Sequence, residues 1–124
     1  MRAKQPTLTP QELEIMKIVW DLGPATVRDV YETLLKRRRI AYTTVMTMMK
    51  ILEEKQYLNK TQDERAYVYR AAQSKNLVVR GMVREFLDRV FNGSAEPLLM
   101  HLVEDRRLSE KDLEELARTI RRSK

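Results

Sequence analysis

Near residue 56 the spacing of apolar residues changes from the helical period to a period of two, and this change limits the fold more than any single motif. Val27, Val30, Tyr31, Leu34 and Leu35 stand at i, i+3, i+4, i+7 and i+8, one stripe of an amphipathic helix that Thr26 can cap. Over residues 42–55, a second helix brings Ala41, Val45, Met48, Met49 and Leu52 within about 80° of one another. Beyond it, residues 57–61 and 66–71 read as strands, the second because Tyr67 and Tyr69 alternate with Ala66, Val68 and Arg70. Gln62, Asp63, Glu64 and Arg65 join them. A two-stranded hairpin is marginal alone in water, so it must lean on the helices, with Tyr67 and Tyr69 packing it there.

An earlier helix begins at Thr9-Pro10-Gln11-Glu12, where Thr9 caps, Pro10 suits the first helical position and Glu12 completes a capping box. It buries Leu13, Met16, Val19 and Trp20 and stops at Gly23-Pro24. Three helices with a trailing hairpin form a winged helix-turn-helix unit, expected over residues 1–72 in a mainly α chain. Residues 73–124 read as three further amphipathic helices: 76–91, ended by Asn92-Gly93-Ser94, then 97–104, then one opening at Ser109. Their apolar faces need a cover, and a second copy of the chain is the simplest one. The expected dimer core is Val83, Phe86, Val90, Leu98, Leu102, Leu113 and Leu116.

Composition removes most other functions. The chain has no cysteine and one histidine, His101, so disulfides, thiolate catalysis and cysteine-held metals are out and a Ser-His-Asp arrangement has one candidate base. Glycines occur only at 23, 81 and 93, too sparse for a phosphate-cradling loop. No enzyme activity, cofactor or metal site is expected. The apolar runs, such as Leu98-Leu99-Met100, fall far short of the roughly 20 residues of a membrane span. The first six residues carry charge with no apolar segment behind them, which reads as no secretory signal and a cytoplasmic protein.

Twenty-four basic against 18 acidic residues give a net charge of +6, which favours a polyanionic partner. Residues 1–72 hold 13 basic and 9 acidic groups, so a DNA surface is sought there. Opposite the buried arc of the 42–55 helix lie Thr43, Met46, Thr47 and Lys50 beside Glu54, a face of small hydroxyls where a solvent face would be rich in Glu and Lys. In a helix-turn-helix the N-terminal residues of the second helix approach the base edges, here Tyr42, Thr43, Thr44, Met46, Thr47 and Lys50. Threonine can bond bases or phosphates and touch thymine methyls, and lysine can reach guanine acceptors. Lys36, Arg37, Arg38 and Arg39 stand beside this helix as a backbone clamp or a solvated loop, and Lys60, Arg65 and Arg70 lie on the wing. The competing reading is a protein-interaction module with incidental charge, whose contact face would be expected to carry aromatics instead.

The stretches from Leu8 to Met16, Val19-Trp20, Ala41 to Thr47, Leu52 to Lys55 and Arg65 to Tyr69 together resemble the penicillinase-repressor family, which includes copper-responsive members, over nearly the whole chain. The resemblance implies a homodimer that binds a pseudo-palindromic operator in double-stranded DNA and blocks transcription. It places Thr43, Thr44, Met46, Thr47 and Lys50 on the recognition helix and Arg65 at the wing. In the penicillinase branch a membrane sensor leads to cleavage near the dimerisation segment; the matching residues 99–103 lack the Asn-Phe pair of that site, so a sensor protease as partner stays open. The copper branch uses C-terminal cysteines, which this chain lacks. Gln56 stands where a glycine is common in the family, which alters a turn without abolishing the fold.

Overall fold

A computed structural model describes residues 7–123; the reading of the first six residues as no secretory signal falls outside them. Helix α1 is Pro10–Leu22. The Thr9 hydroxyl accepts from the Glu12 amide, and the Glu12 carboxylate accepts from the Thr9 amide at 2.9 Å. Gly23, at φ 80, ends it. Helix α2 is Val27–Leu35, started by a second reciprocal box between Thr26 and Asp29. Helix α3 is Tyr42–Glu54. Strands β1 (Leu58–Asp63) and β2 (Ala66–Ala71) pair antiparallel, with Leu58 opposite Ala71 and Asp63 opposite Ala66. The connecting turn is therefore only Glu64-Arg65, shorter than the four-residue link expected, and Glu64 takes φ 54 at the first central position, which a two-residue hairpin requires and glycine meets most easily.

The hairpin is anchored as its marginal stability demands. Ala25, between α1 and α2, pairs with Tyr69 of β2 through two backbone bonds of 3.0 and 2.8 Å. The Trp20 indole donates to the Gln73 carbonyl at 3.0 Å beyond β2. The core combines Ile15, Met16, Ile18 and Val19 of α1, Val30 and Leu34 of α2, Val45, Met49 and Leu52 of α3, and Leu58 and Tyr69 of the hairpin.

Several residues expected inside depart from that pattern, Leu13, Val27, Tyr31 and Met48 among them as half-buried. Tyr67 is 51% exposed although it shares a face of β2 with buried Tyr69, because it lies two residues nearer the turn, where the strand is exposed on both faces. Leu35, the last residue of α2, is 44% exposed, and Ala41 is exposed as the N-cap of α3. Trp20 is half-buried, its ring nitrogen held at the surface by Gln73.

Three helices follow: α4 (Lys75–Phe91), α5 (Glu96–Glu104) and α6 (Glu110–Arg122). The chain divides into two compact units between Val79 and Arg80, so the first turn of α4, with buried Val78, belongs to the first unit, whereas the sequence placed the division after Ala72. Asn92 and Gly93, at φ 53 and 85, end α4, and a Ser109–Asp112 box starts α6. Among the described residues, no side chain from Arg80 onward is buried. Val83, Phe86, Val90, Leu113 and Leu116 are exposed, and Leu98 and Leu102 are half-buried.

Candidate nucleic-acid interface

The candidate surface follows from what α3 buries. Val45, Met49 and Leu52 are each 0% exposed and hold one side of the helix in the core. The helical period then forces the remaining faces outward. Tyr42, Thr43, Thr44, Met46, Thr47 and Lys50 are all exposed, so the structure brings together on one helix the six residues the sequence picked out there. With Thr43 and Thr47 one turn apart and Lys50 the next residue along that face, the surface is short, weakly charged and free of bulky ion pairs.

The start of α3 differs from those of α1, α2 and α6. Its N-cap is Ala41, which, like Ala95 before α5, offers no side-chain bond, whereas Thr9, Thr26 and Ser109 each form a full capping box. The Ala41 carbonyl accepts from the Thr44 and Val45 amides, which leaves the end of the helix, with its positive dipole, without a side-chain acceptor of its own. Such an end suits an anion supplied from outside.

The basic run is divided by its partners. Arg38 reaches back to Glu14 of α1, Nη2 to Oε1 at 2.8 Å, and so serves the fold. Lys36, Arg37 and Arg39 are exposed. At the wing, Arg65 is exposed in the turn, but Lys60 is tied to Glu53 of α3 at 3.5 Å and lies 4.5 Å over the ring of Tyr67. Arg70 donates to the Thr61 hydroxyl across the strands. Lys60 therefore fixes the wing against the end of α3 and has less reach than its position in the sequence suggests.

One basic residue beside α3 was missed. Arg28, in the first turn of α2, stands with its guanidinium carbon 5.7 Å from the ring centre of Tyr42. Tyr31 meets the same ring edge-on, at 5.3 Å and 82°. The signal was available: Arg28 and Tyr31 are three apart and share a helical face, and that face is continuous with the start of the next helix. Among the described residues, no group of three or more acidic, histidine or cysteine side chains could hold a metal ion, and no helix is long and apolar enough to cross a membrane.

Comparison with known proteins agrees with this geometry. The family model for the penicillinase repressor matches residues 8–122. The transcriptional regulator BlaI of Mycobacterium tuberculosis is 36% identical over 104 residues, which cover 82% of this chain and 75% of that protein. The penicillinase repressor of Bacillus licheniformis is 27% identical over 113 residues, 91% of this chain and 88% of that one. The solution structure of monomeric Bacillus licheniformis BlaI in complex with the blaP half-operator superposes with a TM-score of 0.52 at 29% identity, covering 59% of this chain and 89% of that chain.

Proposed function

The chain belongs to the penicillinase repressor family, and on that premise we propose that it represses transcription as a homodimer that reads a pseudo-palindromic operator through the major groove. The observation that carries this reading is the outward face of α3. Thr43, Thr47 and Lys50 stand opposite a fully buried apolar side, in a unit that resembles one solved on a half-operator. Thr43, Thr44, Met46, Thr47 and Lys50 supply base-edge contacts, with Tyr42 at the groove entrance. Lys36, Arg37, Arg39 and Arg65 hold phosphates on either side.

The exposed apolar residues of α4, α5 and α6 supply the dimer contact, with Val83, Phe86, Val90, Leu98, Leu102, Leu113 and Leu116 at its centre. The two readers then engage half-sites about one helical turn, roughly 10 base pairs, or a multiple of it, apart. The work is on DNA in the cytoplasm and includes no catalytic step. A sensor protease is not assigned: residues 99–103 lie within α5 and lack the Asn-Phe pair, so cleavage there would first require the helix to open.

The test is a gel shift with the full chain on the region upstream of its own gene, at low salt. A retarded fragment whose protected site has two-fold symmetry is expected, and Thr47→Ala should weaken that complex while leaving binding to unrelated DNA largely intact. No retarded fragment would favour the protein-interaction module instead.

A further inference from the structure

The cluster of Arg28, Tyr42 and Tyr31 is not explained by folding alone. Arg28 has a 68% exposed side chain, and its ion pair among the described residues, to Glu32, is long at 3.7 Å with both partners in solvent. Such a pair holds a guanidinium weakly and is readily exchanged for a better anion. Its guanidinium carbon also lies 5.7 Å from the centre of the Tyr42 ring, a cation–π contact that places the side chain without using its N–H donors. Tyr42 in turn is fixed by the edge contact with Tyr31. Two helices thus cooperate to hold one cation beside the first residue of α3, with its donors unspent.

We propose that Arg28 is a DNA-backbone contact outside the face of α3, and that Tyr42 is its positioning residue, carrying the guanidinium to the phosphate that flanks the helix in the groove. The inference rests on the reading of α3 as the DNA-facing helix. It changes the part given to Tyr42, which acts through Arg28 in place of reading a base. A bidentate Arg–phosphate contact fixes orientation on the duplex and carries no sequence information, so its loss should be felt alike on every sequence.

The experiment uses the full chain and fluorescence anisotropy over a salt series, with a mixed-sequence duplex of about 30 base pairs and one of the same length from upstream of the gene. Arg28→Ala should weaken both duplexes similarly and make the log–log salt slope shallower by about 1.8, one phosphate's worth from each of the dimer's two subunits. Tyr42→Phe, which keeps the ring, should retain the wild-type slope. Tyr42→Leu, which keeps bulk against Tyr31 but removes the aromatic face, should lose the same increment, and the double variant Arg28→Ala, Tyr42→Leu should lose no more than either. A wild-type slope in Arg28→Ala, or losses that add in the double variant, would overturn the inference while DNA binding itself stands. A wild-type chain that binds neither duplex would overturn the DNA-facing reading of α3 and this inference with it.

Discussion

Lys55 Nζ lies 2.8 and 3.0 Å from the two carboxylate oxygens of Glu12, which ties the C-cap of α3 to the first turn of α1. Glu12 is 5% exposed and is the one buried charged side chain among the described residues. It also accepts from the Thr9 amide, and Lys55 donates further to the Thr7 carbonyl at 3.3 Å. One pair therefore starts α1, ends α3 and fixes the two helices in register.

Removing either partner should destabilise the fold. A fully buried pair loses about 3–5 kcal/mol when one member is deleted; Lys55 is 24% exposed and can turn to water, so Lys55→Met, which strands the carboxylate, should approach that range and Glu12→Gln should cost about 2 kcal/mol. Burial alone would raise the Glu12 pKa, but the hydrogen bonds from Lys55 and Thr9 and the lysine charge outweigh it and hold the group below its ordinary 4.5. A depressed folded pKa means stability that is complete above the unfolded value and lost as pH falls through the folded one. The difference in melting temperature between wild type and Glu12→Gln should thus be constant near neutrality and shrink below about pH 4.5. A difference that persists to pH 2 would assign the acid transition to other carboxylates.

Gln56 sits at the position after the α3 C-cap with φ 69. Its amide bonds the Glu53 carbonyl at 3.0 Å, and the Tyr57 amide bonds the Leu52 carbonyl at 2.9 Å, the paired bonds of a Schellman ending. Tyr57 and Leu52, the positions that such an ending packs together, are both buried. Glycine adopts this backbone without strain, so Gln56→Gly should stabilise by about 0.5–1 kcal/mol and raise the melting temperature by a few degrees. Gln56→Ala, which keeps a Cβ, should bring no such gain. Equal melting temperatures for the glycine and alanine variants would remove strain as the explanation.

Much of this was legible in the sequence, and the misses have physical reasons. The capping signals at Thr9, Thr26 and Ser109 are local, and each appears as a side-chain bond. The outward residues of α3 were legible because the helical period alone separates them from Val45, Met49 and Leu52. Tyr67 was misplaced because alternation says that two faces exist without saying how far the sheet extends over the helices. Arg38 could not be told from its neighbours, since its partner Glu14 is 24 residues away in another helix. The contacts of Lys60, which the sequence did single out, and of Arg28 have the same cause: they reach Glu53 and Tyr67, or Tyr42, across elements.

That difference within the basic run gives a direct prediction. Arg37→Ala and Arg39→Ala should each lower affinity for all DNA and reduce the salt slope by about 1.8 if each meets one phosphate in each subunit of the dimer, and Lys36→Ala likewise. Arg38→Ala should leave the slope near wild type, because its guanidinium is engaged at 2.8 Å by Glu14. With both side chains partly in solvent, its loss should lower stability by no more than about 1 kcal/mol. Anisotropy titrations at several salt concentrations, paired with thermal melts, separate the two effects. A slope loss for Arg38 equal to that of Arg37 would show that the Glu14 pair opens on DNA.

The position of the division inside α4 decides where the chain can be cut. Ending it after Ala72 removes the Gln73 carbonyl that holds the Trp20 indole and the buried Val78, so that fragment should lose stability. Ending it after Val79 keeps both, and this fragment should melt cooperatively and sediment as a monomer, since it lacks α5, α6 and most of α4. Trp20, the single tryptophan, reports on the difference through its fluorescence. Linking two readers in a dimer raises operator affinity by about 10²–10⁴ over one reader, so the 1–79 fragment should bind a full operator weaker by that factor while a half-site is bound equally by fragment and full chain at matched reader concentration. A fragment that sediments as a dimer, or binds the full operator as tightly as the whole chain, would move the dimer contact out of the C-terminal helices.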